Sequence, residues 1–322
     1  MTLVSIAIVA HNNWPDLELA IESALNQSWK STEVIVIDNE STDGTEAGIL
    51  HRFEGRIRYV RQRNTLDGGG YNRGLAESNG DFIQLLDGDD FIAPNKIARQ
   101  IEVFRARREA DIVYGETRQF QGVAGRPAWS DWDTGPQEDM LATLLDPAGE
   151  GAGLVIHSAL FRRRVFERVG PWDESLVGAD FDYWLRCAWA GCVFAFSPGA
   201  WCFHRRRPRQ MSSDQAAMVN RTVKTLEKAL RYIDREPYRS MASARLASLI
   251  YGSAMTDLSL DREQALEALR TAHQLAPSRV GSAQYALGLA AINVPGFRRL
   301  LKSPVLRTAR RTLGQRLGVL DT

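Results

Sequence analysis

The chain has 322 residues, of which 44% are hydrophobic and 25% are charged, and its formal net charge is +1. This length predicts about two globular domains of ordinary soluble composition, and the balanced charge argues against a nucleic-acid partner, since such binders are usually strongly basic. No apolar run approaches the ~20 residues that cross a bilayer, and the N-terminal apolar run lacks the basic flank of a signal peptide. Three cysteines without a CxxC pair are typical of a reducing compartment, so we expect a cytoplasmic protein.

The N-terminal part of the chain alternates between apolar, β-branched runs and segments with helical spacing. Strands are predicted at residues 3–10, 33–37, 57–60 and 82–86. Helices are predicted after Pro15, after Gly44 and at 71–79, the last behind a flexible glycine stretch at 68–70. This order predicts an α/β fold in which helices cover both faces of a parallel sheet. Because ligands bind at the carboxyl ends of such strands, His11, Asp38 and the acidic residues 87–90 are expected at one edge.

Three carboxylates, those of Asp87, Asp89 and Asp90, directly follow the fourth predicted strand. They repel one another unless a cation lies between them, and Mg²⁺ or Mn²⁺ prefers such oxygen ligands. The alternative is a solvated acidic turn that caps a helix opened by Pro94. Their expected place at the ligand-binding edge of the sheet favours a ligand site.

The next part of the chain continues with less regular patterns. We predict a helix at 97–108, a strand at 111–114, an irregular loop at 120–150, a helix at 159–168, and strands at 193–196 and 201–203. An acidic pair, Asp180 and Asp182, opens a further, aromatic-rich helix. Cys192, Cys202 and His204 match no common zinc-site spacing, and buried thiols are commoner in strands, so we expect no zinc there.

From about residue 213 glycine becomes scarce and the pattern changes to amphipathic helices. These helices are predicted at 217–231, 240–256, 262–275, 282–291 and 297–317. The sequence therefore predicts one domain over residues 1–212 and an all-α domain over 213–322. The last helix is basic and amphipathic, a pattern typical of peripheral contact with an anionic membrane. The alternative, which we favour, is a helix packed on its own domain with a solvated basic face.

Five segments of the first domain resemble, in the same order, the motifs of the family 2 glycosyltransferases, which have the GT-A nucleotide-sugar fold. The segments are residues 4–12, 23–28, 33–45, 86–90 with Pro94 following, and 178–186. The resemblance covers roughly residues 1–212 and leaves the helical tail outside it. It implies a GT-A fold with an all-α C-terminal appendage.

The resemblance also implies a reaction, namely inverting transfer of a sugar from a nucleotide-diphosphate donor to an acceptor hydroxyl. UDP-sugars are the commonest donors of the family, and the acceptor would be a glycan, a lipid-linked sugar or another glycoconjugate. The D-x-D motif implies Mn²⁺ or Mg²⁺ on Asp89 and Asp87, and the late acidic motif implies Asp180 as the base. The implied donor contacts are Val9, His11, Asp38, Asn39, Asn72, Asp87 and Arg207.

Three positions depart from the family pattern. Tyr71 stands where an Arg often precedes the residue equivalent to Asn72, and Ala179 replaces the Glu that usually begins the late motif. Arg207 stands where a His often precedes a proline, so either Arg207 or the nearby His204 takes the place of that His.

Each candidate residue has a plainer interpretation beside the functional one. Asp180 is also a plausible helix N-cap, and Asp38 and Asn39 are also good turn-capping residues. Trp172 and Trp184 suit either stacking on an acceptor sugar or core packing, which we favour for Trp184. His157 and Ser158 are assigned to the acceptor side.

Two other classes of protein remain as alternatives. A sugar nucleotidyltransferase needs a glycine-rich basic loop after the first strand, where this chain has the residues 11–14 instead. A catalytically inactive glycosyltransferase-like scaffold is disfavoured because Asp87, Asp89 and Asp180 are all present. The motifs specify neither the donor sugar, nor the acceptor, nor the oligomeric state.

Overall fold

The computed structural model of the chain describes residues 2–121, 130–132, 135–146, 154–207, 214–257 and 259–294. The chain divides into two compact units. The first comprises Met1–Met140 and Ala152–Gln210, and the second comprises Leu141–Gly151 and Met211–Thr322. The described residues 141–146 therefore belong to the second unit, which the sequence pattern does not predict.

The described part of the first unit holds eleven strands. In chain order they are β1 (Val4–Ala10), β2 (Thr32–Asn39), β3 (Arg58–Gln62), β4 (Phe82–Asp87), β5 (Phe91–Ile92), β6 (Ile112–Tyr114), β7 (Thr117–Gln121), β8 (Ser130–Trp132), β9 (Ala159–Arg162), β10 (Phe194–Phe196) and β11 (Cys202–Arg206). Seven form the main sheet, in the order β10-β6-β9-β4-β1-β2-β3. All neighbours pair in parallel except β9, which runs antiparallel to β4 and β6. The predicted α/β fold with a mostly parallel sheet is confirmed.

Helices cover this sheet and make up the second unit. In chain order they are α1 (Asp16–Leu25), α2 (Thr45–Phe53), α3 (Leu66–Glu77), α4 (Lys96–Ala106), α5 (Met140–Leu145), α6 (Arg164–Val169), α7 (Asp180–Trp189), α8 (Gln215–Ala229), α9 (Tyr238–Thr256), α10 (Arg262–Leu275) and α11 (Ser282–Asn293). None of the described helices is both long enough and apolar enough to cross a membrane.

The register of the central strands aligns their carboxyl ends. Ala10 lies opposite Asp38, and Val9 lies opposite both Ile37 and Asp87. The strands are buried on both faces, which is why they have continuous apolar sequences rather than alternating ones. The expected convergence of the residues after β1, β2 and β4 at one sheet edge is therefore confirmed.

The glycine stretch at 68–70 is not a flexible linker, and this prediction was wrong. These residues lie buried inside α3, which begins at Leu66. A Cβ atom at Gly70 would lie 2.4 Å from Val9 Cγ1, and one at Gly74 would lie 2.8 Å from the Cβ of Ala7. The glycines are needed because the helix backbone packs directly on β1, and this need outweighs their low helix propensity.

The helix predicted at 159–168 was also partly wrong. Ala159–Arg162 form strand β9, and only Arg164–Val169 are helical. The period of a short apolar run does not distinguish a strand from a helix. This run becomes a strand because it pairs with both β4 and β6.

A second, four-stranded sheet has the order β5-β11-β7-β8. In it β11 pairs antiparallel with β5 and parallel with β7. Because β5 follows the acidic residues 87–90 directly, this pairing brings the basic residues of β11 back to them.

The second unit is helical throughout its described part. Helices α9 and α10 pack as a hairpin around the buried residues Met255 and Leu269, and α10 begins with a capping box between Asp261 and Gln264. Within this unit Arg245 donates a hydrogen bond to the Leu144 carbonyl, which attaches the segment after residue 140. The basic helix predicted at 297–317 lies outside the described residues.

Candidate active site

The acidic turn at residues 87–90 stands at the carboxyl edge of the main sheet. The Gly88 amide donates to the Val9 carbonyl at 2.8 Å, which ties the turn to β1. The side chains of Asp87 and Asp89 are 33% and 35% exposed, whereas that of Asp90 is 1% exposed. Burial and the neighbouring carboxylates of Asp90 and Asp87 raise the pKa of Asp89 to about 7.

This turn does not cap the following helix. Helix α4 begins after Asn95, whose side chain makes no capping hydrogen bond, and strand β5 separates the carboxylates from it. The capping alternative is therefore excluded.

The buried Asp90 holds β11 against the turn. Its Oδ1 accepts a hydrogen bond from the Arg205 amide at 2.6 Å, and its Oδ2 lies 3.0 Å from Nδ1 of His204. Nδ1 of His157 lies 3.4 Å from the same Oδ2. These groups hold the pKa of Asp90 below its usual range despite its complete burial.

Two arginines of the basic run contact the same turn. Arg207 donates to Asp16 in the first turn of α1, and its Nη2 lies 3.7 Å from Oδ2 of Asp89. Arg205 donates to the Asp89 carbonyl at 2.9 Å and lies 3.2 Å from Asp16. The guanidinium of Arg207 lowers the pKa of Asp89 and so offsets part of the increase caused by Asp90 and Asp87.

Asp180 lies in the first turn of α7, and the N-cap position belongs to Ala179. Burial and the negative charges of Asp87 and Asp67 raise the pKa of Asp180 well above its usual range. Because Ala179 is the N-cap, Asp180 does not have the N-cap role. The effect of Asp87 on its pKa indicates that the two carboxylates lie near each other. Asp182 is fully buried and accepts a hydrogen bond from Arg186 at 2.9 Å.

The strand ends of β1 and β2 are joined by side-chain contacts. Nδ1 of His11 lies 2.6 Å from the Asn39 carbonyl oxygen. Asp38 is fully buried and accepts hydrogen bonds from the Ser41 amide at 2.8 Å and from the Tyr59 hydroxyl at 2.7 Å. These contacts agree with turn-capping for Asp38, and a nucleotide contact at this position stays a prediction.

The amide of Asn39 is engaged in the same way. It donates to the Leu66 carbonyl at 3.0 Å and accepts from Gln62 at 2.6 Å. Asn39 therefore fixes the start of α3 against β2, and Val9 packs on the Gly70 backbone below it. The role of these residues at a nucleotide is untested.

Helix α3 contributes two contacts to the site. The hydroxyl of the buried Tyr71 donates to Oδ1 of Asp87 at 2.6 Å. The Asn72 amide bonds instead to the backbone of Trp172 at 3.1 and 2.8 Å and to Glu174 at 2.8 Å. Asn72 therefore fastens the loop before α7 to α3, and the structure does not bring its amide to the acidic turn.

The two tryptophans considered for sugar stacking lie in the core. Trp172 stacks on Tyr183 with ring centroids 3.7 Å apart, and Trp184 stacks on Phe161 at 5.4 Å. Each is about 2% exposed, so core packing is their observed role.

Sequence reasoning underrated His157, Asp16 and Arg205. The ring of His157 lies against Asp90 and Asp87, and a place on the acceptor side stays a prediction. No local sequence pattern predicts this contact, because it depends on the pairing of β9 with β4. For Asp16 the sequence offered only the acidic first turn of α1, and for Arg205 it offered only the run of arginines after His204.

The donor set of this edge suits a divalent cation. The half-open carboxylates of Asp87 and Asp89 repel each other, which a cation would relieve. One ligand atom each from Asp90, His157 and His204 lies within 4.8 Å of the others, the one such cluster found among the residues that the structure describes. Carboxylates and imidazoles are both ligands of Mn²⁺-type ions, so the residues fit the expected metal.

The family model described as glycosyl transferase family 2 matches residues 5–170, about half of the chain. The chain belongs to this family.

Among curated proteins, an uncharacterised glycosyltransferase of Rickettsia conorii is 30% identical over 190 residues. The match covers 58% of this chain and 31% of that protein. This chain thus spans about a third of that relative, and about half of a similar protein from Nostoc.

Two solved structures share the fold at low sequence identity. S. aureus TarS 1-349 in complex with UDP-GlcNAc has a TM-score of 0.62 and 15% identity, with 96% of this chain and 92% of that chain covered. The mannosyltransferase PcManGT from Pyrobaculum calidifontis, in complex with GDP-Man and Mn²⁺, has a TM-score of 0.59 and 17% identity, with 99% and 87% covered.

Proposed function

We propose that this protein is an inverting glycosyltransferase that moves a sugar from a nucleotide-diphosphate donor to an acceptor hydroxyl. The observation that carries the proposal is the proximity of Asp180 to Asp87, which shares the acidic turn with Asp89. These carboxylates come from two motifs about ninety residues apart, yet Asp87 is close enough to raise the pKa of Asp180. Two acidic groups of different environment are what metal-assisted departure and general-base catalysis require.

The donor is proposed to be a UDP-sugar bound at the carboxyl edge of β1, β2 and β4. Solved proteins of the same fold bind UDP-GlcNAc or GDP-Man, which supports a nucleotide-sugar and leaves the base as a proposal. His11 and Val9 would line the base pocket. The buried Asp38 and Asn39 would shape it through the loops that they fasten, and Asn72 would act from α3.

Asp89, with Asp87, is proposed to hold Mn²⁺ or Mg²⁺ beside the diphosphate. When bound, such an ion supplies positive charge that stabilises the departing diphosphate. Arg207 would contribute a fixed charge to the same end, because its guanidinium already lies 3.7 Å from Asp89.

Asp180 is proposed as the general base. It would take the proton of the acceptor hydroxyl while that oxygen attacks the anomeric carbon, and the bond from that carbon to the diphosphate oxygen breaks with its electron pair leaving on the diphosphate. Attack from the opposite face inverts the anomeric configuration. A pKa raised by burial and by Asp87 makes this carboxylate a stronger base than an ordinary Asp.

The remaining assignments are proposed at a coarser level. The transferase domain is proposed as residues 1–212 and the helical domain as 213–322, with the acceptor being a glycan, a lipid-linked sugar or another glycoconjugate. A cytoplasmic location, with or without membrane contact through the basic segment at 297–317, follows from the sequence pattern alone.

The test is calorimetric titration of UDP, GDP and dTDP in Mn²⁺ and in EDTA. Wild type, Asp89→Ala and the matched surface control Glu109→Ala, whose side chain is 58% exposed, are compared. We expect one of the nucleotides to bind wild type only when metal is present. The same nucleotide should bind Glu109→Ala normally and should not bind Asp89→Ala. Absence of nucleotide binding in every condition would reject the enzyme assignment.

The two alternatives give different results in follow-up assays. Binding of a sugar nucleotide without any metal-dependent hydrolysis of it would favour an inactive scaffold. Formation of a sugar nucleotide from a nucleoside triphosphate and a sugar 1-phosphate would identify a nucleotidyltransferase.

A further inference from the structure

We infer that Asp90, His157 and His204 form a second cation site, which takes a divalent transition-metal ion and is separate from the Asp87–Asp89 pair. The three residues come from the acidic turn, from the 3₁₀ turn Ile156–Ser158 and from β11. One ligand atom of each lies within 4.8 Å of the others. Two imidazoles and one carboxylate are a ligand set that transition metals use.

The geometry converges on a single enclosed point. Oδ2 of Asp90 lies 3.0 Å from Nδ1 of His204 and 3.4 Å from Nδ1 of His157. The two imidazole rings face each other at 26°, with centroids 5.9 Å apart. Asp90 and His157 are almost completely buried, and the side chain of His204 is 22% exposed.

His157 provides an independent indication of a ligand. Its ring is fully buried, and neither ring nitrogen makes a hydrogen bond of normal geometry, although Nδ1 lies 3.4 Å from Oδ2 of Asp90 and 3.6 Å from Oδ2 of Asp87. A buried polar group without a hydrogen bond destabilises a fold, so such groups are rare unless something else satisfies them. An ion between His157, Asp90 and His204 would give one of the two ring nitrogens a partner.

The two sites are adjacent, because Nδ1 of His157 also lies 3.6 Å from Oδ2 of Asp87, but they differ in the direction of their aspartates and in chemistry. The Asp89 carboxylate lies towards Arg207 on the half-open side, whereas the Asp90 carboxylate lies towards β11 and His157. The Asp87–Asp89 pair offers only oxygen, which suits Mg²⁺ as well as Mn²⁺. The second site offers nitrogen, which favours Mn²⁺, Co²⁺ or Zn²⁺ over Mg²⁺.

The ion would fasten β11, and with it Arg205 and Arg207, to the acidic turn. The site itself stands on the geometry alone, and only its use in sugar transfer rests on the proposed function. The competing account is a metal-free ion-pair cluster in which protonated histidines neutralise Asp90.

The experiment uses the full chain, free of any tag, stripped with EDTA and given Mn²⁺ alone without nucleotide. Electron spin-echo modulation of bound Mn²⁺ detects coordinated nitrogen. We expect nitrogen coupling in wild type, and we expect its frequencies to change when the protein is grown with ¹⁵N-histidine. This comparison needs no mutation and so does not depend on whether a variant folds.

Variants then assign the ligands. His204→Gln is expected to lower the nitrogen coupling to that of one imidazole, because His157 remains, and to weaken Mn²⁺ binding at least about 10-fold, the lower bound for loss of even an outer-shell partner. His51→Gln, an exposed substitution on α2, should leave the coupling unchanged. Asp89→Ala should also retain it, because that residue belongs to the other site.

Bound Mn²⁺ without nitrogen coupling in wild type, or no bound Mn²⁺, would overturn the site and leave the ion-pair cluster. Displacement of the nitrogen-coupled Mn²⁺ by an about tenfold excess of Mg²⁺ would overturn its transition-metal preference. Nitrogen coupling in a protein that binds no nucleotide would uphold the site while rejecting the proposed function.

Discussion

Two pairs of neighbouring carboxylates differ in their surroundings, namely Asp89 and Asp90 in the acidic turn, and Asp180 and Asp182 at the start of α7. Asp89 is half-open beside Arg207, while its neighbour Asp90 is buried and fastens β11. Asp182 is buried against Arg186, while Asp180 lies near Asp87. In both motifs one carboxylate is buried and hydrogen-bonded to other residues of the protein, whereas the other has a raised pKa, as reactive groups often do. The partner of a carboxylate, and not the motif that contains it, indicates its role.

The largest expected effect is on turnover in Asp180→Asn. The substrate is the sugar donor whose nucleotide binds in the titration. We expect its metal-dependent hydrolysis to fall about 10³-fold, because a general base contributes 10²- to 10⁴-fold. Nucleotide affinity and thermal stability should be unchanged. Asp182→Asn is the matched control, and loss of turnover there with normal turnover in Asp180→Asn would reverse the two assignments.

The buried member of the pair should act on stability instead. Asp182→Ala leaves the Arg186 guanidinium, which is 17% exposed, without its 2.9 Å partner. We expect the free energy of unfolding to fall by about 3 kcal/mol, as when one member of a buried ion pair is removed. Urea denaturation measures this, and a loss below about 0.5 kcal/mol, the size of a surface substitution, would contradict it.

Lys96 extends the comparison to a buried charge without a carboxylate partner. Its ammonium is fully buried between the side-chain oxygens of Gln84 and Gln100, and burial lowers its pKa to about 7. Between that value and the unfolded value of about 10.5, the unfolded chain binds more protons, so stability rises with pH. Below pH 7 both states are protonated and this contribution is flat.

The measurement is the unfolding free energy against pH in wild type and Lys96→Met. We expect wild type to gain about 2 kcal/mol more than the variant between about pH 7 and pH 9, since one pKa unit is worth 1.36 kcal/mol. Parallel pH curves for the two proteins would show that Lys96 is charged in the fold at neutral pH.

The smallest effect is expected from Tyr71→Phe. The variant keeps the buried ring but loses the 2.6 Å hydrogen bond to Asp87. A hydrogen bond to a charged group contributes about 1.5–3 kcal/mol, and a cation on Asp87 would offset part of its loss, so we expect kcat to fall about tenfold. Steady-state turnover checks this, and an unchanged kcat would show that Tyr71 does not position Asp87.

Much of the first unit was predictable because buried parallel strands have a recognisable sequence. The apolar runs of β1, β2 and β4 predicted the strands, and the polar residues after them predicted the ligand edge. The sequence failed where neighbours decide the conformation. Residues 68–70 are helical because α3 packs on Val9, and Ala159–Arg162 form a strand because a slot is open between β4 and β6.

The same division applies to the candidate site. The sequence by itself determined the family, the acidic turn and the base candidate Asp180, because these depend on residue types in a fixed order. Only the tertiary structure decided that His157 contacts Asp90, that Arg207 approaches Asp89, and that Asn72 bonds to the backbone of Trp172. Such contacts join residues far apart in the chain, so they are set by strand order and register, which no local pattern of residues encodes.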